Sequence, residues 1–310
     1  MKKLFLMVVA AMMAIGASAQ TTVKMIRVYE GNTVVYEQQY AAVDSVVFVD
    51  KIIPVQVETN GALPGEFSVS ANKKVKFSKG NLRYLNSTWQ FTENQWDRPN
   101  NSNTTGVDVF AWGTGDDPAK TSTTADYSTF HDWGANPISN GGNEANMWRT
   151  LTADEWVYLF HGRTNASKLF GFGSVMGING VIILPDNWVT PEGASFTPNP
   201  LPWASVVDSR GDFSGYSGNT NYDYYDNNTY GEAQWLTMQA NGAVFLPAAN
   251  KYEIWGGAYW SATPKELSDF AYSLDFDKYF LFPHYLYNDS REDYSKRYGV
   301  RSVRLVQDVE

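Results

Sequence analysis

Aromatic side chains make up 15% of this chain, and they are scattered singly and in pairs among 25 glycines and long tracts of Asn, Asp, Ser and Thr. A helical fold would gather its apolar residues at every third or fourth position, and here that spacing recurs clearly in two places only. Rings placed this way suit a loop-rich fold, in which an aromatic side chain offers an apolar body to an irregular core and a polar tip to a partner. Most of the rings are expected to fill that core, and the remainder are left for a surface.

Residues 1–19 have the pattern of a cleavable secretory leader. Lys2 and Lys3 precede an apolar run over 4–15, and Ala17-Ser18-Ala19 stands ahead of Gln20. The run is too short to span a bilayer, and the sequence offers no other stretch long and apolar enough. The expected product is an exported chain, periplasmic, cell-surface or secreted, with no transmembrane segment. The sequence contains no cysteine, so disulfides, a thiol nucleophile and a lipid anchor on an N-terminal cysteine are all excluded. With 310 residues and 43% hydrophobic content, a core can be buried without covalent staples. The formal charge of −9 becomes more negative once Lys2 and Lys3 leave with the leader. That balance disfavours nucleic acid and anionic membrane surfaces as partners.

Residues 20–51 read as a small β module. Strands over 23–29 and 33–38 flank Glu30-Gly31-Asn32, and Val46-Val47-Phe48-Val49 supplies a third strand. Residues 52–65, with Pro54, Gly61 and Pro64, read as a linker. The main domain is expected over 66–308. It opens on a hairpin in which Phe67-Ser68-Val69 and Lys74-Val75-Lys76-Phe77 alternate with period two. A long irregular stretch follows over 85–142, of the kind that is usually functional. Thr152-Ala153-Asp154-Glu155 is a capping box that starts a helix with Trp156, Leu159 and Phe160 on one face. Thr229-Tyr230-Gly231-Glu232 is a weaker cap for a second helix, with Trp235 and Met238 inward and Gly242 near its end. Val181-Ile182-Ile183-Leu184-Pro185 and Ala243-Val244-Phe245-Leu246-Pro247 read as buried strands that stop at proline. Ser302-Val303-Arg304-Leu305-Val306 is a last strand able to pair with the opening hairpin. The pattern predicts an α+β fold with two helices, short antiparallel strands and long loops.

Several short motifs, taken in order, carry a family resemblance. They are Phe67-Ser68-Val69, Lys79-Gly80-Asn81-Leu82, Trp89 with Phe91, Trp148-Arg149-Thr150-Leu151-Thr152 with Glu155-Trp156, the runs over 180–185 and 242–248, Tyr259-Trp260-Ser261, and 300–306. Together they resemble the Fibrobacter succinogenes major paralogous domain group, secreted proteins of Bacteroidetes-like bacteria. Val43-Asp44-Ser45-Val46-Val47-Phe48 is similar to a leader module of exported proteins from the same bacteria. The resemblance spans 66–308 and implies a C-type lectin-like fold, shared with formylglycine-generating (sulfatase-modifying-factor-like) enzymes. That fold hosts catalysts, sugar binders and protein binders alike, so it does not settle the function.

Formylglycine-type oxidation needs cysteines and is excluded. The iron-dependent sulfoxide synthases of the same fold need clustered histidines, whereas His131, His161 and His284 are far apart in sequence. Asp116, Asp117, Asp223, Asp226, Asp275 and Asp277 read as solvated turn groups, and Glu155 as a helix cap. No cofactor is required by any motif. The calcium-binding triplets of sugar-binding lectins are absent, and Leu184-Pro185-Asp186-Asn187-Trp188 has similar residues in the wrong order. A structural calcium held by loop oxygens over 212–228 stays open.

The strongest candidate ligand face lies within 272–297. It comprises Tyr272, Asp275, Asp277, Tyr279, Phe280, His284, Tyr285, Tyr287, Asn288, Asp289, Arg291, Asp293 and Tyr294. Rigid rings give contact area at little entropic cost, and short polar groups supply hydrogen bonds. In diversified relatives of the resembled fold, the ligand face occupies this same C-terminal stretch. A second patch is expected from Tyr216, Tyr222, Tyr224, Tyr225 and Tyr230. The expected function is a non-enzymatic exported protein that binds a glycan or a protein surface. The alternatives are a structural or adhesive cell-envelope component and a carboxylate-dependent glycan hydrolase.

Overall fold

The computed structural model describes residues 25–30, 33–39, 60–98, 106–208, 211–248, 256–266, 269–287 and 295–309. The expected leader and the third strand over 46–49 lie outside them. The chain divides into two units, Met1–Ile53 and Pro54–Glu310. In the first, Met25–Glu30 pairs antiparallel with Thr33–Gln39. This is the expected hairpin, described from two residues later at its start to one residue later at its end.

The second unit is mixed α+β, mostly strands. Its described residues form four sheets of four, five, four and three strands. Folded structure begins earlier than 66. Leu63 N–H donates to the Phe77 carbonyl at 2.8 Å, Ala62 bridges to Ser78, and both residues are buried. The second half of the expected linker therefore belongs to this unit.

One sheet joins the unit's ends. Phe67–Ser70 pairs with Lys73–Phe77, Lys73–Phe77 with Leu305–Asp308, and Leu305–Asp308 with Arg149–Thr150. Helix α1, Ala153–Val157, packs beside it. Thr152 Oγ1 accepts from Glu155 N at 3.2 Å while Glu155 Oε2 accepts from Thr152 N at 2.9 Å, which completes the capping box. The chain then widens into a π-turn over Tyr158–Gly162. Trp156, Leu159 and Phe160 are buried as their spacing predicted.

Arg163 closes that turn from inside. Its guanidinium donates to the carbonyls of Leu159, Leu169 and Leu184 and to Asp186 Oδ1 at 3.1 Å. Asp186 also accepts from Ser68 N and Ser68 Oγ. Asp186, in the run over 184–188 whose order was wrong for calcium, is thus a structural tie between a helix end and the first strand of the unit.

Helix α2, Glu232–Ala240, buries Trp235 and Met238 against a second sheet. Its start differs from expectation. Thr229–Tyr230 pairs in parallel with Phe170–Val175, and Gly231, which has no side chain to cap with, precedes the helix. Gly242, at φ 94°, ends it, and a side chain there would meet the Gly65 backbone.

Within the stretch over 85–142, the described residues supply one wall of a second core. Trp89, Phe91, Phe110, Trp112, Trp133, Trp148 and Trp260 pack into one cluster. Indole N–H groups pin the surrounding backbone: Trp112 to Ser261 O at 2.9 Å, Trp148 to Gly141 O at 2.7 Å and Trp260 to Phe110 O at 2.7 Å. Irregular backbone is stabilised here by buried rings with polar tips.

Candidate functional site

The expected ligand segment is mainly sheet. Ala271–Phe276 and Phe280–Tyr287 form a hairpin within a five-stranded sheet, flanked by Gly257–Pro264 on one side and by Gly211–Ser217 and Trp203–Asp208 on the other. Asp277 shapes the turn by accepting from Tyr279 N at 2.8 Å and Phe280 N at 3.1 Å.

The long strand carries a bulge at Pro283. Tyr285 faces Ser273 while Phe282 faces Asp275, so three steps on one strand match two on the other. The neighbour on the far side shows the same mismatch, with His284 opposite Ser214 and Leu281 opposite Tyr216. A proline inside a sheet cannot donate to the ladder, and a bulge is where it is tolerated. The extra residue changes which side chains share a face. Phe280, Phe282 and Tyr285 come together on one side, each half-buried. Phe280 and Phe282 stack at 4.9 Å, and Phe282 and Tyr285 at 6.0 Å with 16° between planes.

Asp275 lies on the same side but is sequestered. Its carboxylate takes Arg301 Nη1 at 3.0 Å and Ser273 Oγ at 2.6 Å, and the Arg301 guanidinium lies 4.9 Å from the Trp260 ring centre. Burial pushes the Asp275 carboxyl above its ordinary value, with Arg301 pulling it down. Asp275 therefore supports the face as part of a buried ion pair.

The opposite side turns toward α1. Tyr272 and His284 stack at 4.2 Å with 14° between planes. Asp212 Oδ1 lies 3.7 Å from His284 Nδ1, and the Asp212 carboxylate also accepts from the Tyr272 hydroxyl. Burial lowers the His284 pKa below its usual value, opposed by the negative charges of Asp212 and of Asp154 on α1. Burial and the Asp212 charge raise Tyr272. Thus the structure splits the expected site, with Phe280 and Tyr285 on one face, Tyr272 and His284 on the other, and Asp277 and Tyr279 at the turn between them. The side chain of Tyr287, and residues Asn288, Asp289, Arg291, Asp293 and Tyr294, lie outside what is described. Phe282 and Arg301 stand outside the expected ligand face, and Asp212 was weighed only as a calcium oxygen; for Phe282 the alternation of Phe280-Leu281-Phe282 was the available signal.

The second tyrosine patch is largely core. Tyr216, Tyr225 and Tyr230 are buried, and Tyr216 donates to Phe160 O at 2.9 Å. Tyr222 alone of the five is well exposed, with its ring 4.4 Å from that of half-buried Tyr224. Of the oxygens considered for calcium, Asp223 caps a short 3-10 turn by accepting from Tyr225 N at 3.0 Å, and Asp212 is engaged by Tyr272 and His284. Among the described residues no group of three His, Asp or Glu side chains converges as a metal site. The histidines sit on separate segments: His131 is 3.5 Å from Asp116, and His161 stacks on Trp203 at 4.0 Å. No described helix is long and apolar enough to cross a membrane. Compared with known proteins, the chain matches no family model, no curated protein and no solved structure.

Proposed function

We propose that this chain is an exported, non-enzymatic binding protein in which a C-type lectin-like scaffold presents aromatic and polar groups to a glycan or protein surface. The observation that carries the reading is the row formed by Phe280, Phe282 and Tyr285. Three stacked rings are held half-buried on one sheet face by a proline bulge, where they offer rigid contact area. The pairing of the last strand with the opening hairpin and the two short helices support the scaffold. The carboxylates nearest the row serve structure: Asp275 is tied to Arg301 and Asp277 to the turn.

The test is titration of ligands found by array screening against the parent and a Phe280→Ser, Phe282→Ser, Tyr285→Ser variant. The variant is expected to lose about tenfold or more in affinity, with its fold intact by circular dichroism. Unchanged affinity would place the ligand face elsewhere.

A hydrolase reading has one observation in its favour, the two acids Asp154 and Asp212 around His284. Glycan turnover abolished by Asp212→Asn would support it over simple binding.

A further inference from the structure

A second surface feature lies apart from the sheet face. The loop over 123–128 and the pair of segments carrying Asp269 and Arg297-Tyr298 enclose an open cleft of about 330 Å³. The cleft is fixed from beneath by Arg297. Its Nε donates to Phe270 O at 3.1 Å, Nη1 to Tyr127 O at 3.0 Å and Nη2 to Lys265 O at 3.1 Å, and its plane lies 4.6 Å from the Trp112 ring centre. Arg297 N also donates to Asp269 O at 2.8 Å. One guanidinium thus ties together three segments distant in sequence, so the walls are set before any ligand arrives.

The chemistry of the walls narrows the occupant. Asp126 and Asp269 are both exposed carboxylates in the lining, and they repel phosphate or carboxylate ligands. The Arg297 donors that could have offset them are directed at backbone carbonyls. A cationic ligand is disfavoured too, because ammonium groups already attend the rings: Lys120 lies 4.8 Å from the Tyr127 centroid and Lys296 lies 5.6 Å from that of Tyr298. What fits alternating charges, an aromatic wall and the Ser128 hydroxyl is a neutral ring with apolar C–H faces and a rim of hydroxyl donors. The volume is at the low end for small-molecule sites, of the size for one or two such rings.

We propose that this cleft binds a neutral pyranose, one sugar of a glycan chain, with Tyr298 as the stacking wall and Asp269 as a hydrogen-bond acceptor. The inference rests on the binding-protein reading above and names a ligand class and a place for it.

The experiment is saturation-transfer NMR and calorimetry on the intact protein, with glucose, mannose, galactose, N-acetylglucosamine and their disaccharides, and with inorganic phosphate and ethylamine as charged controls. At least one sugar is expected to bind and neither control to do so. Tyr298→Ala and Asp269→Asn should each weaken that sugar by about tenfold. Asp269→Asn keeps the backbone carbonyl that anchors Arg297, so its loss of binding is not a loss of the cleft. No sugar binding, tighter binding of either control, or sugar binding indifferent to both cleft variants would overturn the proposal. If no sugar binds but the sheet-face variant loses a protein ligand, the cleft proposal fails while the binding-protein reading stands.

Discussion

Arg163 shows how much of this fold depends on single buried polar side chains. Its guanidinium is inside the protein and burial pulls its pKa down to about 10, yet it satisfies three carbonyls and Asp186. Arg163→Leu would take this donor away from three backbone carbonyls and from Asp186, which would keep only Ser68 and the exposed Lys74 as partners. The expected cost is about 3 kcal/mol, measured by urea denaturation; a cost below about 1 kcal/mol would contradict the account. His284 makes a different prediction. Its folded pKa lies below the ordinary 6.5, so across that window the unfolded chain binds more protons and stability rises with pH. Acidification through the window should therefore lower Tm. His284→Phe keeps a ring against Tyr272 and removes the titration, so its Tm should vary less with pH between about 5 and 7. A slope equal to the parent's would show that His284 does not contribute.

At the scale of elements, local signals were legible where they were self-contained. The capping box at Thr152 and Glu155 specifies its own hydrogen bonds, and it forms as read. Thr152→Ala should cost about 1 kcal/mol in thermal or chemical unfolding, and Thr152→Ser much less; equal losses would mean that the hydroxyl is not the cap. The start of α2 was misread because Thr229 and Tyr230 join a parallel strand pair with Phe170–Val175, and long-range pairing overrides a local cap. In the candidate ligand segment the strand legible over 272–276 forms as Ala271–Phe276, whereas its partner Phe280–Tyr287 is hidden by a composition rich in rings and by Pro283; burial of Leu274, Phe276, Leu281 and Leu286 draws the two into a hairpin. Once the segment is sheet, facing is decided by the Pro283 bulge, which the sequence marks only as a proline among aromatic residues.

For the molecule as a whole, the mixed α+β class and the joining of the unit's ends followed from strand alternation at 67–77 and near the end of the chain, although the last strand is Leu305–Asp308 and takes only Leu305 and Val306 from the expected 302–306. The indole-lined second core did not, because Trp89, Trp112, Trp133, Trp148 and Trp260 are far apart in sequence and have no periodicity to reveal that they meet. In a chain without cysteine, this cluster does the work that disulfides do in many exported proteins, holding irregular backbone by burial and by indole hydrogen bonds. The buried Arg304 extends the same strategy. It reaches Gln95 Oε1 at 2.8 Å, and Gln95 in turn binds the backbone of Phe245 and Ala243, so the last strand is locked to the sheet under α2. In the proposed reading, a frame secured in this way holds the stacked row on the five-stranded sheet ready for a ligand.

The most direct test of that claim is an array of glycans and proteins exposed to the parent chain and to the Phe280, Phe282 and Tyr285 variant, with and without calcium. Retained protein and the mass of every arrayed glycan are read from the same spots. The account predicts retention of the parent on particular ligands, loss of that retention in the variant, and no change in any glycan mass. Equal retention of parent and variant, or a glycan shortened by the parent, would contradict it.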